Sequence, residues 1–224
     1  MRKMKIAISN GHGLHTAGKR TPPFPGTGQI IKEWEFNHPT ALKLAEILKA
    51  DGHEVLLVSN TTEDTPLVTR VSRANNWKAD LYVSIHYNAF QGIWGGHGGV
   101  ETLHGLGSTN GKRAAELVHD ELLKVLTWRN RGVKPRSDLY ELNRTIMPAI
   151  LIEAGFMDNL DEASKMLDSQ YQFDIAMAIA NGINRYFNYI PRRGMPISTD
   201  KTATLLQMQA WARNKNATAQ FVQL

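Results

Sequence analysis

No cysteine occurs among the 224 residues of this chain, which excludes disulfide bonds and thiolate metal sites. No apolar run approaches the length of a bilayer span, so no membrane insertion is expected. The basic opening from Met1 to Asn10 holds too short an apolar stretch for a signal-peptide core. Two familiar hydrolase signatures are also missing: the helix-borne His-Glu-x-x-His of many metalloproteases and the Gly-x-Ser-x-Gly elbow of serine hydrolases. An excess of one charge is missing from most of the sequence. Residues 1–190 hold 21 Lys or Arg against 20 Asp or Glu, and the last 34 residues carry +4 of the overall +5. A broad nucleic-acid-binding face is therefore not expected, and the one local basic run, Arg129 to Arg136, reads as a solvated loop.

What the chain does have is a set of apolar runs that each end on a polar residue suited to metal chemistry. Met4 to Ser9 leads into Asn10-Gly11-His12-Gly13, Leu81 to Ile85 leads into His86-Tyr87-Asn88, and Ala149 to Ile152 leads into Glu153-Ala154-Gly155-Phe156. Near-continuous runs of Val, Ile and Leu mark strands buried on both faces, and ligands of open α/β sheets collect outside the carboxyl ends of such strands. Three distant segments would thus deliver two imidazoles and a carboxylate to one rim. A catalytic zinc commonly takes three protein ligands and leaves a fourth position for water. The segment entering the first long helix, Gln29 to Asn37, offers Glu33 or Glu35 as the third ligand. Either glutamate could instead favour the positive end of that helix. Glu153, ending Ala-Ile-Leu-Ile, would be costly to bury unless paired or bound.

The rest of the pattern alternates strands with helices. Lys3 to Ser9, His53 to Ser59, Leu81 to His86, Val100 to His104 and the Glu153 run read as strands, with Leu139 to Leu142 as a short edge strand. Helical spacing covers Phe36 to Ala50, Thr65 to Trp77, Ser108 to Leu126, Leu160 to Leu167 and Tyr171 to Phe187. This alternation predicts an α/β fold with a mostly parallel sheet covered by helices on both faces. After Tyr189 a linker-like cluster from Pro191 to Pro196 divides residues 1–190 from residues 191–224.

Four short motifs occur in order: Gly11-His12-Gly13, Glu33-x-x-x-Asn37, Ser84-x-His86-x-Asn88 and Glu153-x-Gly155-Phe156. Together they resemble the zinc-dependent N-acetylmuramoyl-L-alanine amidases of the Amidase_3 class, over roughly residues 4 to 189. The resemblance implies a three-layer α/β/α sandwich around a twisted, six-stranded sheet. It implies one Zn2+ held by His12, Glu33 and His86, leaving Glu35 as a first-turn helix residue. Glu153 would be the acid/base that activates water against the amide joining N-acetylmuramic acid to L-alanine in bacterial peptidoglycan. A zinc peptidase acting on stem peptides and a non-catalytic peptidoglycan-binding module are the competing readings. One departure is Asn10, where the family commonly has proline.

Asn88 and Arg70 are candidate substrate contacts, and the insert from Thr16 to Gly28 is expected to wall the groove. His97 reads as a solvated loop residue that could reach substrate, His104 as structural, and His15, His38, His53 and His119 as lacking a partner at metal spacing. The tail resembles the opening of a second, glucosaminidase-type unit of a longer two-activity lysin, against the simpler reading of a C-terminal helix. A monomer acting at the cell wall is expected, reached from the host cytoplasm through holin release or lysis.

Overall fold

The computed structural model describes residues 3–191; the expected second unit at 191–224 lies, but for its first residue, outside them. In chain order the elements are β1 (Lys5–Asn10), α1 (Trp34–Asp51), β2 (Glu54–Leu57), α2 (Leu67–Trp77), β3 (Leu81–Asn88) and β4 (Val100–Gly105). They continue with α3 (Thr109–Val125), β5 (Asn130–Arg136), α4 (Tyr140–Arg144), β6 (Ala149–Phe156), α5 (Leu160–Ala163) and α6 (Ser169–Tyr186). The six strands form one sheet in the order β2-β1-β3-β6-β4-β5. The first four are parallel to one another, β4 runs antiparallel to β6, and β5 runs parallel to β4. The expected three-layer, mostly parallel arrangement is present.

Alternation along β3 shows how the layers divide. Val83, Ile85 and Tyr87 join a large core with Ile6, Ile8, Phe36, Val118 and Ile179, where α1, α3 and α6 pack together. Tyr82 turns the other way, into a smaller cluster with Ala7, Ala74, Leu142 and Leu151 under α2 and α4. Helix ends follow from local chemistry. Ser108 caps α3 by accepting from Gly111 N at 3.1 Å, and Asp168 caps α6 by accepting from Gln170 and Tyr171 N. Pro39 sits inside α1 and cannot donate to the carbonyl of Glu35. That carbonyl accepts from Gln172 Nε2 on α6 at 3.3 Å instead.

Two sequence expectations fail, and for connected reasons. Residues 139–142 form the entry to α4 and not an edge strand, because Leu142 and Glu141 are both drawn beneath the sheet. The edge position belongs to β5, cut from the basic run read as a solvated loop. An outer strand tolerates Lys, Arg and Pro since one side of its backbone and much of its surface stay wet.

Beneath the sheet lies a buried polar layer. Glu141 accepts from Ser9 Oγ at 2.8 Å, from Ser84 Oγ at 3.3 Å and from Tyr82 Oη, and Arg70 Nη1 lies 4.0 Å from the same carboxylate. Removing one member of a buried charged network leaves the others unpaired, at about 3–5 kcal/mol. Glu141→Ala is expected to lose about 3 kcal/mol or more of unfolding free energy in urea titration, and Glu141→Gln distinctly less. Equal, small losses for both would contradict a satisfied buried network.

Candidate metal centre

Gly11, at the end of β1, donates its N–H to Ile85 O at 2.9 Å, so the loop carrying His12 continues the β1–β3 pairing past the strand end. His12 itself has φ of 62°, a left-handed conformation unusual for a side chain with a Cβ. Its neighbours hold it there: Asn10 Nδ2 donates to His12 O at 3.5 Å, and Gly13 N donates to Thr16 Oγ1 at 2.8 Å. Asn10, standing where the family commonly has proline, thus anchors the loop by hydrogen bonds, including Asn10 N to Ser59 Oγ at 3.1 Å.

Glu33 immediately precedes α1 and is fully buried. Its Oε1 accepts from Asn37 Nδ2 at 3.0 Å, from Tyr87 N at 3.1 Å and from His86 Nδ1 at 3.0 Å. Its Oε2 lies 3.4 Å from His12 Nε2. The Glu-x-x-x-Asn spacing now has a cause: residues four apart share a helix face, so Asn37 reaches back to Glu33 while also donating to Gly11 O at 3.0 Å. Glu35 is excluded because its carboxylate accepts from Lys32 N at 2.7 Å. One ligand atom from each of His12, Glu33 and His86 lies within 4.8 Å of the others.

Glu153 is set beside this group by sheet register: His86 pairs with Glu153 across β3–β6, and Glu101 pairs with Glu153 across β6–β4. Paired residues project to the same face. Buried His86 Nε2 and Glu153 Oε2 have no hydrogen-bond partner within the protein. Buried polar atoms are seldom left so, and two imidazoles with a carboxylate are a donor set that zinc accepts. The residues therefore fit a metal ion.

The remaining motif residues also find their reasons. Gly155 lies under the Tyr87 ring, where a Cβ would come within 2.5 Å. Asn88 Nδ2 donates to Glu101 Oε1 at 3.1 Å, beside the candidate centre. Arg70 is not exposed to a substrate. It is 1% exposed, and its guanidinium donates to Thr65 O, Ser9 Oγ, Asn10 O and Asp64 Oδ1, so it braces the His12 loop from behind. His97 is not a solvated residue: its ring packs 4.5 Å from Phe90 and its Nε2 lies 3.5 Å from the buried Asp158. His104, His53 and His119 are buried and hydrogen-bonded. The 16–28 insert is tied to the glycine-rich excursion through Trp94 Nε1 to Pro23 O at 2.9 Å, and it feeds directly into Glu33, whose N–H donates to Lys19 O at 3.0 Å. Sequence reasoning missed Glu101 and Glu141, whose partners come from strands far away in the chain.

Burial and charge set four proton affinities in the metal-free protein. Burial lowers His12 to about 4, only partly opposed by Glu33. Burial works against ionised Glu33, but the hydrogen bond and charge of His86, with His12 and Asn37, hold it at about 2. For His86 burial is likewise overcome, and Glu33 raises it. Burial pushes Glu153 up to about 8; His86 pulls it back, while Glu33 and Glu101 add to the rise.

An α/β/α domain with a His–Glu–His cradle beside a buried carboxylate at its strand ends has the parts of a metal-dependent hydrolase. The N-acetylmuramoyl-L-alanine amidase family (Amidase_3) matches residues 6–185, and the chain belongs to it. The N-acetylmuramoyl-L-alanine amidase CwlM of Bacillus licheniformis is 35% identical over 188 residues, covering 83% of this chain and 69% of that protein. The endolysin of Bacillus phage SPP1 is 33% identical over 207 residues, covering 89% and 72%. The catalytic domain of CwlV, an N-acetylmuramoyl-L-alanine amidase from Bacillus (Paenibacillus) polymyxa var. colistinus, superposes with a TM-score of 0.74 at 29% identity, covering 84% and 99%.

A Cβ on Gly11 would lie 2.2 Å from Cε1 of His86. Gly11→Ala is therefore expected to displace that imidazole and weaken the affinity for a divalent metal ion by about 10–100-fold, read by competition with a chromogenic chelator; unchanged affinity would count against the cradle. A second expectation concerns pH. A carboxyl raised on folding stabilises the fold below its unfolded pKa, and that contribution is lost as pH rises towards the folded value. Between pH 6.5 and 8 Glu33 has finished titrating and His12 adds only the closing half of its unfolded-state titration, while Glu153 and the raised His86 both erode stability. Thermal melts of metal-free protein should fall across the upper part of this window, and Glu153→Gln should make the slope distinctly shallower, leaving the part due to His86.

Proposed function

We propose that the chain hydrolyses the amide between N-acetylmuramic acid and L-alanine in bacterial peptidoglycan, with one zinc ion held by His12, Glu33 and His86 and with Glu153 as general acid/base. The observation carrying this reading is the convergence of four side chains from the ends of β1, β3 and β6 and the start of α1 on one rim. When bound, the ion supplies a Lewis acid that polarises the scissile carbonyl and makes water a usable nucleophile near neutral pH. Glu153 takes the proton of the attacking water at its free Oε2 and passes it to the leaving amine of L-alanine. Strand register supports this pairing of roles, because His86 and Glu153 are direct neighbours across β3 and β6. No side-chain nucleophile is used, so no acyl-enzyme accumulates.

All four residues belong to one chain, which supports action as a monomer. No helix among the described residues is long and apolar enough to cross a membrane. The site of action is the cell wall, and similarity to a phage endolysin supports release from a host cytoplasm by holin or lysis.

Purified peptidoglycan incubated with zinc-loaded protein is expected to release free L-alanine amino termini, detected by mass spectrometry, and chelation should abolish them. New termini inside the stem would instead indicate a peptidase, and an unchanged wall a binding module. Glu153→Gln should keep zinc and fold while lowering kcat by about 10²–10⁴-fold.

A further inference from the structure

Across β6 from the metal centre, two cations converge on one carboxylate. Arg131 Nε on β5 donates to Glu101 Oε2 at 3.0 Å, and Lys134 Nζ donates to the same oxygen. Glu101 is buried and already accepts from Asn88 on its other oxygen. One cation suffices to neutralise it, so the trio carries a net positive charge. The second ion pair is no explanation in stability terms, because Lys134 is 42% exposed and half-exposed pairs contribute little.

The position of the trio is informative. Glu101 pairs directly with Glu153, and directly opposed residues lie about 5 Å apart. Arg131 and Lys134 stem from β5, two strand spacings from β6 or about 10 Å at the backbone, and their heads reach back towards the proposed acid/base as far as Glu101. Arg131 is held rigidly, with its guanidinium 4.8 Å over the Phe156 ring and Nη1 donating to Gly98 O at 3.3 Å. Among the described residues its Nη2 has no acceptor, and Lys134 uses one of three donors. Pre-placed, partly exposed donors with spare capacity suit an incoming carboxylate.

Peptide substrates extend about 3.5 Å per residue, so the second residue beyond the scissile amide reaches about 7 Å outwards. In a peptidoglycan stem that residue is a γ-linked D-glutamate, whose α-carboxyl is either free or capped as an amide. We propose that Arg131 and Lys134 recognise this carboxylate, making the enzyme selective for stems whose second residue is not amidated. The proposal rests on the amidase reading given above.

The test compares two synthetic muramoyl tripeptides, differing in a free or amidated α-carboxyl at the second residue, with the zinc-loaded full chain. The free-acid substrate is expected to be cleaved with kcat/KM about tenfold higher or more, as for a hydrogen bond to a charged group. Lys134→Met should bring the ratio below about threefold by raising KM for the free acid, leaving kcat and the amidated substrate nearly unchanged. Lys134→Arg should restore the preference. Equal cleavage of both substrates by the unaltered protein, or a preference that survives Lys134→Met combined with Arg131→Met, overturns the subsite while leaving the amidase reading intact. Cleavage of neither substrate overturns the amidase reading and the subsite with it.

Discussion

The carboxylate of Glu33 is buried where four segments of the chain meet, and the arrangement of the rim follows from keeping it satisfied. An ionised carboxylate taken out of water is tolerable only with several donors or cations around it. Asn37, the Tyr87 N–H and His86 supply three of these on Oε1, and His12 faces Oε2. Each contact also constrains something else. Asn37 links the start of α1 to the carbonyl of Gly11, and the Tyr87 N–H fixes how far α1 lies from the end of β3. The group that we propose holds zinc is therefore also the group that docks α1 against the sheet.

A second buried carboxylate supports the first from below. Glu141 ties α4 to Ser9 on β1 and to Tyr82 and Ser84 on β3, while Arg70 spans Ser9 and Asn10. These residues lie within three positions of His12 or four of His86, so a polar layer inside the smaller core keeps the two imidazole-bearing strand ends level. The large core on the other face is mainly apolar, with buried polar contacts such as Asn184 to Asp51 and Tyr87 Oη to Glu162 O.

Much of this was legible because buried parallel strands write themselves as apolar runs. His12, His86 and Glu153 stand where three such runs stop, and the helices declare themselves by spacing. Glu33 was not separable from Glu35 by its own neighbourhood; the choice becomes physical only through the helical reach of Asn37 and the local bond from Lys32 to Glu35. Arg70 was misread because an arginine's burial depends on acceptors from remote segments, here the carbonyls of Thr65 and Asn10. The strand β5 was hidden by its own composition, since an edge strand that serves charged side chains has no alternation to show. His97 was misjudged likewise: the glycines around it read as freedom, yet Phe90 and Asp158 enclose its ring.

Reversal of β4 relative to β6 has a topological consequence. β3 finishes at the metal end and β4 starts there, so residues 89–99 join them without crossing the sheet and remain above the rim throughout. The parallel strands need a helix for each return, and those returns fix the sandwich. This link carries no such duty. It is instead pinned from above the sheet, by Asp158 accepting from the N–H groups of Phe90, Gln91 and Gly92 and by Glu162 accepting from Gly99 N, so the β6–α5 turn sets where this roof lies.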